Sequence, residues 1–215
     1  MATSALRVNP TRMELTRIKR RLVTAVRGHK LLKDKRDEMV RQFILLVREN
    51  HRLRQEVETE LAAALGNFAM ARAVIEPEMM EEALLCPARS IGVDMGVRSI
   101  LSVRVPTLTT TEEHTQTTLS YGLAETSAQL DGAIESLADL LPKMIHLAEV
   151  EKACNLLADE IEKTRRRVNA LEYVMIPQFQ ETIRFIAMKL DENERGSLTR
   201  LMKVKNMIEQ RAEKG

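Results

Sequence analysis

Aromatic side chains make up 3% of this 215-residue chain and tryptophan is absent, which removes the bulkiest material from which globular cores are built. Cysteine is scarce as well. Cys86 and Cys154 are too few and too far apart for a disulfide framework or a zinc cluster, and both read as plain thiols of a reducing compartment. No uncharged apolar run approaches the roughly 18 residues of a membrane span, and the amino terminus MATSALRVNP has no apolar signal-peptide core. The chain is therefore expected in the cytoplasm, without direct membrane insertion.

Catalytic apparatus is missing too. Gly28-His29-Lys30 lacks the second glycine and the Lys-Ser/Thr pair of a phosphate loop. The four histidines, His29, His51, His114 and His146, share no ligand spacing with one another or with cysteine. Carboxylates at helical spacing, such as Glu56 and Glu60, read as a solvated helix face because nothing around them builds a cleft. No catalytic residue, cofactor or metal is expected.

What the chain does contain is helix-forming material: Ala, Leu, Glu, Lys and Arg are about half of it. From Leu15, steps of three and four residues land on Ile18, Leu22, Ala25, His29, Leu32, Arg36, Met39, Phe43, Leu46, Asn50, Leu53 and Val57. This is a coiled-coil seam interrupted by three polar residues. Thr11 with Glu14 has capping-box spacing after Asn9-Pro10, and Glu76-Pro77 closes the run. As one helix, Thr11 to Ile75 would span roughly 95 Å. Gly28 and Gly66 weaken it without stopping it.

A second seam follows the same spacing through Leu147, Val150, Cys154, Leu157, Ile161, Thr164, Val168, Leu171 and Met175. It then slips to Phe179, Ile183, Ile186 and Leu190 beside Pro177, where a kink is expected. Helical periodicity precedes it through Pro142, and Leu198 to Ile208 is amphipathic again after the charge cluster Asp191 to Gly196. Two matching seams on one chain bury each other if the middle turns the chain back, so the expected fold is all-α dominated: a long antiparallel two-helix coiled coil with a short β-hairpin in the middle. The hairpin strands are expected near Ser90–Val97 and Ile100–Val105, ended by Pro106, with the Thr-rich run after them a polar, mobile connector. The divisions are residues 1–76, 77–124 and 125–215. Ile100, Leu101, Val103 and Val105 offer more apolar surface than a lone ribbon can bury, so the hairpin should dock on the coiled coil or on a partner.

Net charge is only +2, yet Pro10 to Arg36 holds ten Lys or Arg against two acids, whereas Glu76 to Glu82 holds four acids and no base. Such asymmetry points to different partners for the two regions. The run Arg165-Arg166-Arg167 reads either as a phosphate-binding patch or as a solvated face, since consecutive residues fan around a helix. His29, Arg36 and Asn50 either set helix register or mark function.

The segments NPTRMELTRIKRRL, GHKLLKDKRDEM and EIEKTRRRVNALEYVMIPQFQETIRFIAMKLDENER resemble those of the D subunits of the V-type and archaeal-type rotary ATPases, and the likeness covers essentially the whole chain. The resemblance implies a non-catalytic central shaft. Its paired terminal helices would enter a catalytic hexamer of A and B subunits, and its other end, with the small F subunit, would reach the membrane rotor through a socket subunit. On that reading Arg12, Arg17, Lys19, Arg20, Arg21, Arg165, Arg166 and Arg167 contact the hexamer. The alternative is a basic coiled-coil nucleic-acid-binding or adaptor protein, against which stands the lack of stacking aromatics near the basic patches.

Overall fold

The computed structural model describes residues 8–85, 90–113, 121–122 and 127–212. Cys86 and connector residues 114–120, with His114 among them, lie outside the described residues. The elements run α1 (Arg12–Val74), α2 (Pro77–Leu84), β1 (Ser90–Ile100), β2 (Val103–Glu113), α3 (Ala128–Ala170), a π-helical segment (Leu171–Met175) and α4 (Ile176–Ala212). The fold is an antiparallel helical coiled coil with a two-stranded hairpin in the middle of the chain. Packing divides it into two compact units: Met1–Asp37 with Glu162–Gly215, and Glu38–Ile161.

Helix α1 starts where the sequence places it, but with half of a capping box. The Glu14 amide donates to Thr11 Oγ1 at 3.2 Å, while the Glu14 carboxylate turns to Arg17 at 3.2 Å. At its other end Glu76-Pro77 breaks the run, and Pro77 opens the short α2, where its missing amide hydrogen costs nothing.

Every position of the first seam is buried or half-buried, and the three-four spacing continues beyond Val57 through Leu61, Ala64, Phe68, Ala71 and Ile75. In the Glu38–Ile161 unit, Leu53 packs against Val150 and Cys154, and Ala71 and Ile75 against Leu130 and the α2 residues Met80 and Ala83. Partner numbers fall as α1 numbers rise, which is antiparallel packing. Glu60 with Lys143 and Arg54 with Glu151 repeat that order on the surface. Pro142 is accommodated inside α3.

Within the other unit, Ile18 packs with Phe179 and Ile186, joined by Leu15, Leu22 and Ile183. Arg12 pairs with Glu194 and His29 with Glu172, again in antiparallel order. The slip between Leu171 and Phe179 is absorbed by the π-helical turn, one residue wider than an α turn. Val168 and Phe179 are buried on either side of it, whereas Leu171 is only half-covered and Met175 is 42% exposed. Helix α4 then runs unbroken through Asp191 to Gly196, and its Leu198, Leu201, Met202, Val204, Met207 and Ile208 are exposed.

The hairpin corrects two expectations. Its turn is Leu101-Ser102, both with positive φ (49° and 76°), as a two-residue primed turn requires, and the strands pair from Ile100 with Val103 out to Ser90 with Glu113. Pro106 therefore sits inside β2, and residues 107–113 are strand instead of connector. The reason is register. Counting from the closed pair at the turn, Val97 and Pro106 fall at a non-hydrogen-bonded pair, so the amide hydrogen that proline lacks would have pointed away from β1. Gly96 faces Thr107, and a Cβ there would meet Thr107 Oγ1 at 2.6 Å, so a side chain at this position would have to displace the Thr107 hydroxyl. The ribbon docks on its own unit: Val103 and Val105 pack with Ala153 and Leu157, flanked by Phe43 and Leu46, and the Leu108 amide donates to Glu149 Oε2 at 3.1 Å.

Candidate partner-binding surface

Two of the three polar seam residues form ion pairs, while the Asn50 side-chain oxygen is buried without a hydrogen-bond partner. His29 Nε2 lies 3.3 Å from Glu172 Oε2, and Arg36 pairs with Asp37 at 2.7 Å. Asn50 stands beside Cys154 in the second unit, where burial foremost pushes the thiol pKa up, the Asn50 amide opposes that, and Glu151 and Glu49 add to the rise. A buried, protonated thiol is a poor nucleophile, so Cys154 is packing material. Polar groups at such positions reward one helix register over its neighbours. Among the described residues no group of three His, Cys, Asp or Glu side chains could hold a metal ion. Nor is any described helix long and apolar enough to cross a membrane.

The eight basic residues that the resemblance assigns to the hexamer all lie in the unit built from Met1–Asp37 and Glu162–Gly215, and all are exposed. Arg12 is engaged by Glu194, Arg17 by Glu14 and Arg166 by Glu162. Lys19, Arg20, Arg21, Arg165 and Arg167 make no ion pair with any described residue. The structure gathers Arg12, Arg17, Arg20 and Arg21 along one groove of about 1190 Å³, with Lys19 outside it. Arg165, Arg166 and Arg167 lie elsewhere: in the antiparallel order they fall on the far side of the His29–Glu172 pair from Arg12.

The groove is the feature that sequence reading missed. Its α1 wall runs from Arg12 to Gly28 and includes Thr24 and Ala25, and its other wall is Leu171, Met175 and Phe179. It exists because the π-helical turn withdraws Met175 from the seam while α1 presents small residues there; a Cβ on Gly28 would meet no atom within 4 Å. The only sequence signal was the register slip beside Pro177.

Paired helices with regular seams, a docked hairpin and exposed charge define a helical coiled-coil protein. Residues 14–206 match the family model of the ATP synthase D subunit. The chain belongs to that family. It is 58% identical to the V-type ATP synthase D subunit of Clostridium botulinum strain Langeland over 96% of its own length and 97% of the relative's. To that of Thermoanaerobacter sp. strain X514 it is 57% identical, over 94% and 97%.

Proposed function

We propose that this chain is the non-catalytic rotor shaft of a V-type or archaeal-type rotary ATPase, carrying torque between a hexamer of A and B subunits and the ion-translocating membrane rotor. The observation that carries the reading is antiparallel seam packing within each compact unit, together with full-length likeness to the V-type ATP synthase relatives. A shaft resists twisting when its two helices are locked along the seam. It turns freely when its outer contacts are individually weak, as exposed Lys and Arg pairs are, at about 0–1 kcal/mol each. The small F subunit and a socket subunit engage the region away from the basic unit, and the complex holds the chain at the cytoplasmic face of the membrane without inserting it.

The basic residues named above are the ones assigned to the hexamer. Replacing any one of Arg12, Arg17, Lys19, Arg20, Arg21, Arg165, Arg166 or Arg167 by Ala should leave assembly nearly intact. Reversing four or five together should weaken ring binding, by a margin that is largest at low salt and shrinks as screening increases, and uncouple ATP turnover from ion transport in reconstituted vesicles. Full coupling in the multiple variant would sink the assignment of this surface. Stoichiometric micromolar binding of MgATP by the purified chain, read by calorimetry, would sink the non-catalytic reading.

A further inference from the structure

The two edges of the hairpin differ. In the register set by the turn, the backbone groups of Arg104, Pro106, Leu108 and Thr110 point outward from β2, and those of Val93, Met95, Val97 and Ser99 point outward from β1. The β2 edge is closed to a further strand: Pro106 has no amide hydrogen, and the Leu108 amide is taken by Glu149 Oε2. The β1 edge is open. Every residue from Gly92 to Ser99 is exposed, with Met95 at 77% and Val97 at 72%, and no described residue outside the ribbon bonds to the outward backbone groups. An unpaired edge of this length is a template for another strand. We propose that the β1 edge binds a second copy of this chain, the two hairpins joining antiparallel about a two-fold axis at Gly96 to make one four-stranded sheet. Such pairing belongs to the chain outside any complex and is independent of the shaft reading.

The strand is complementary to itself. Residues with outward backbone groups must stand opposite one another, which restricts the register to steps of two. With Gly96 opposite Gly96, Met95 of one copy faces Val97 of the other and Asp94 faces Arg98, each contact occurring twice by symmetry. Asp94 and Arg98 are exposed and make no ion pair with any described residue, so both charges are available. Slipping the strands by two residues either way puts both charges opposite glycine or Ile100, and slipping by four puts Asp94 opposite Asp94 or Arg98 opposite Arg98. Charge thereby selects a single register. In it Val93, Met95, Val97 and Ser99 exchange backbone bonds with their counterparts, and Met95 and Val97 cover one another on the face turned away from Val103 and Val105. Glycine at the two-fold axis suits the closer, non-hydrogen-bonded kind of pair, whose Cα atoms stand about 4.5 Å apart.

Sedimentation equilibrium of the purified full-length chain tests this and should show monomer and dimer in exchange. Asp94→Arg or Arg98→Asp alone should weaken the dimer at least about tenfold, because each sets like charges opposite one another twice. An equimolar mixture of those two variants should restore dimers, since every charge then faces its opposite. Met95→Pro removes an outward amide hydrogen without touching a bond between β1 and β2. It should abolish the dimer while the inward amides of Gly96 and Arg98 keep their exchange protection. A chain that stays monomeric up to about 1 mM, a dimer indifferent to Met95→Pro or to the charge reversals, or a mixture that restores nothing would overturn the proposal. So would outward β1 amides that become protected only in the assembled complex, which would hand the edge to a strand of another subunit.

Discussion

Leu157 and Met175 both fall on one seam spacing, and the structure gives them very different energies. Leu157 is 0% exposed and packs with Val103, Val105 and Ala153, so Leu157→Ala removes buried methyl groups and leaves a cavity beneath the hairpin. Such truncations cost about 2–5 kcal/mol. Met175, 42% exposed, forfeits only the covered part of its side chain, about 1 kcal/mol when changed to Ala. At roughly 2–4 °C per kcal/mol for a chain of this size, Leu157→Ala should lower Tm by roughly 4–20 °C and Met175→Ala by no more than about 4 °C. Thermal melts followed by far-UV circular dichroism give the comparison. Because the two residues lie in different compact units, hydrogen exchange on the helices around each one should accompany the melts, so that a local loss is not averaged away. Equal costs for the two substitutions would refute the reasoning: Met175 would then be a packed seam residue, and the helix would pass Leu171 to Met175 as a regular α-helix.

In a Cys154→Ser background, Leu53→Cys with Val150→Cys should oxidise readily to a disulfide, since the two side chains share one cluster; failure under mild oxidant, read on non-reducing gels, would contradict the antiparallel register. Gly96→Val should strip amide protection from both hairpin strands by crowding Thr107, whereas Gly92→Ala, whose Cβ would sit 3.6 Å from the Thr111 carbonyl, should not; exchange mass spectrometry separates the two. Tyr121 donates to Asp131 at 2.6 Å, and burial first, then that hydrogen bond and the Asp131 charge, push its phenol pKa up from 10.0. A folded-state pKa above the unfolded one means stability that is present below pH 10.0 and is lost as pH rises beyond it. Tyr121→Phe should therefore cost about 0.5–1.5 kcal/mol near neutrality and flatten the alkaline fall in Tm; an unchanged alkaline slope would count against the hydrogen bond.

Much of this molecule is written in local pattern. The seam from Leu15 to Val57 was readable because a coiled coil buries side chains at a period close to that of the helix itself, so spacing alone names the inner face. Pro77 and Thr11 act within a turn of themselves, and helix α1 therefore begins and ends close to where they stand. Family membership was legible for the same reason: the motifs at both ends are continuous stretches of chain.

Tertiary structure decided what depends on partners distant in sequence. Pro106 looks like a strand terminator until the turn at Leu101-Ser102 places it opposite Val97, where its missing amide hydrogen faces outward. Met175 looks like a seam residue ahead of the slip legible in the sequence, and only the structure shows that the π-helical turn begins at Leu171 and leaves Met175 exposed before Phe179 and Ile186 pack against Ile18. The basic groove follows from that shift. A hydrophobic pattern records which residues prefer burial, but which of two competing registers a helix adopts is settled by the facing surface, and that surface, here around Ile18, lies far away along the chain from Phe179 and Ile186.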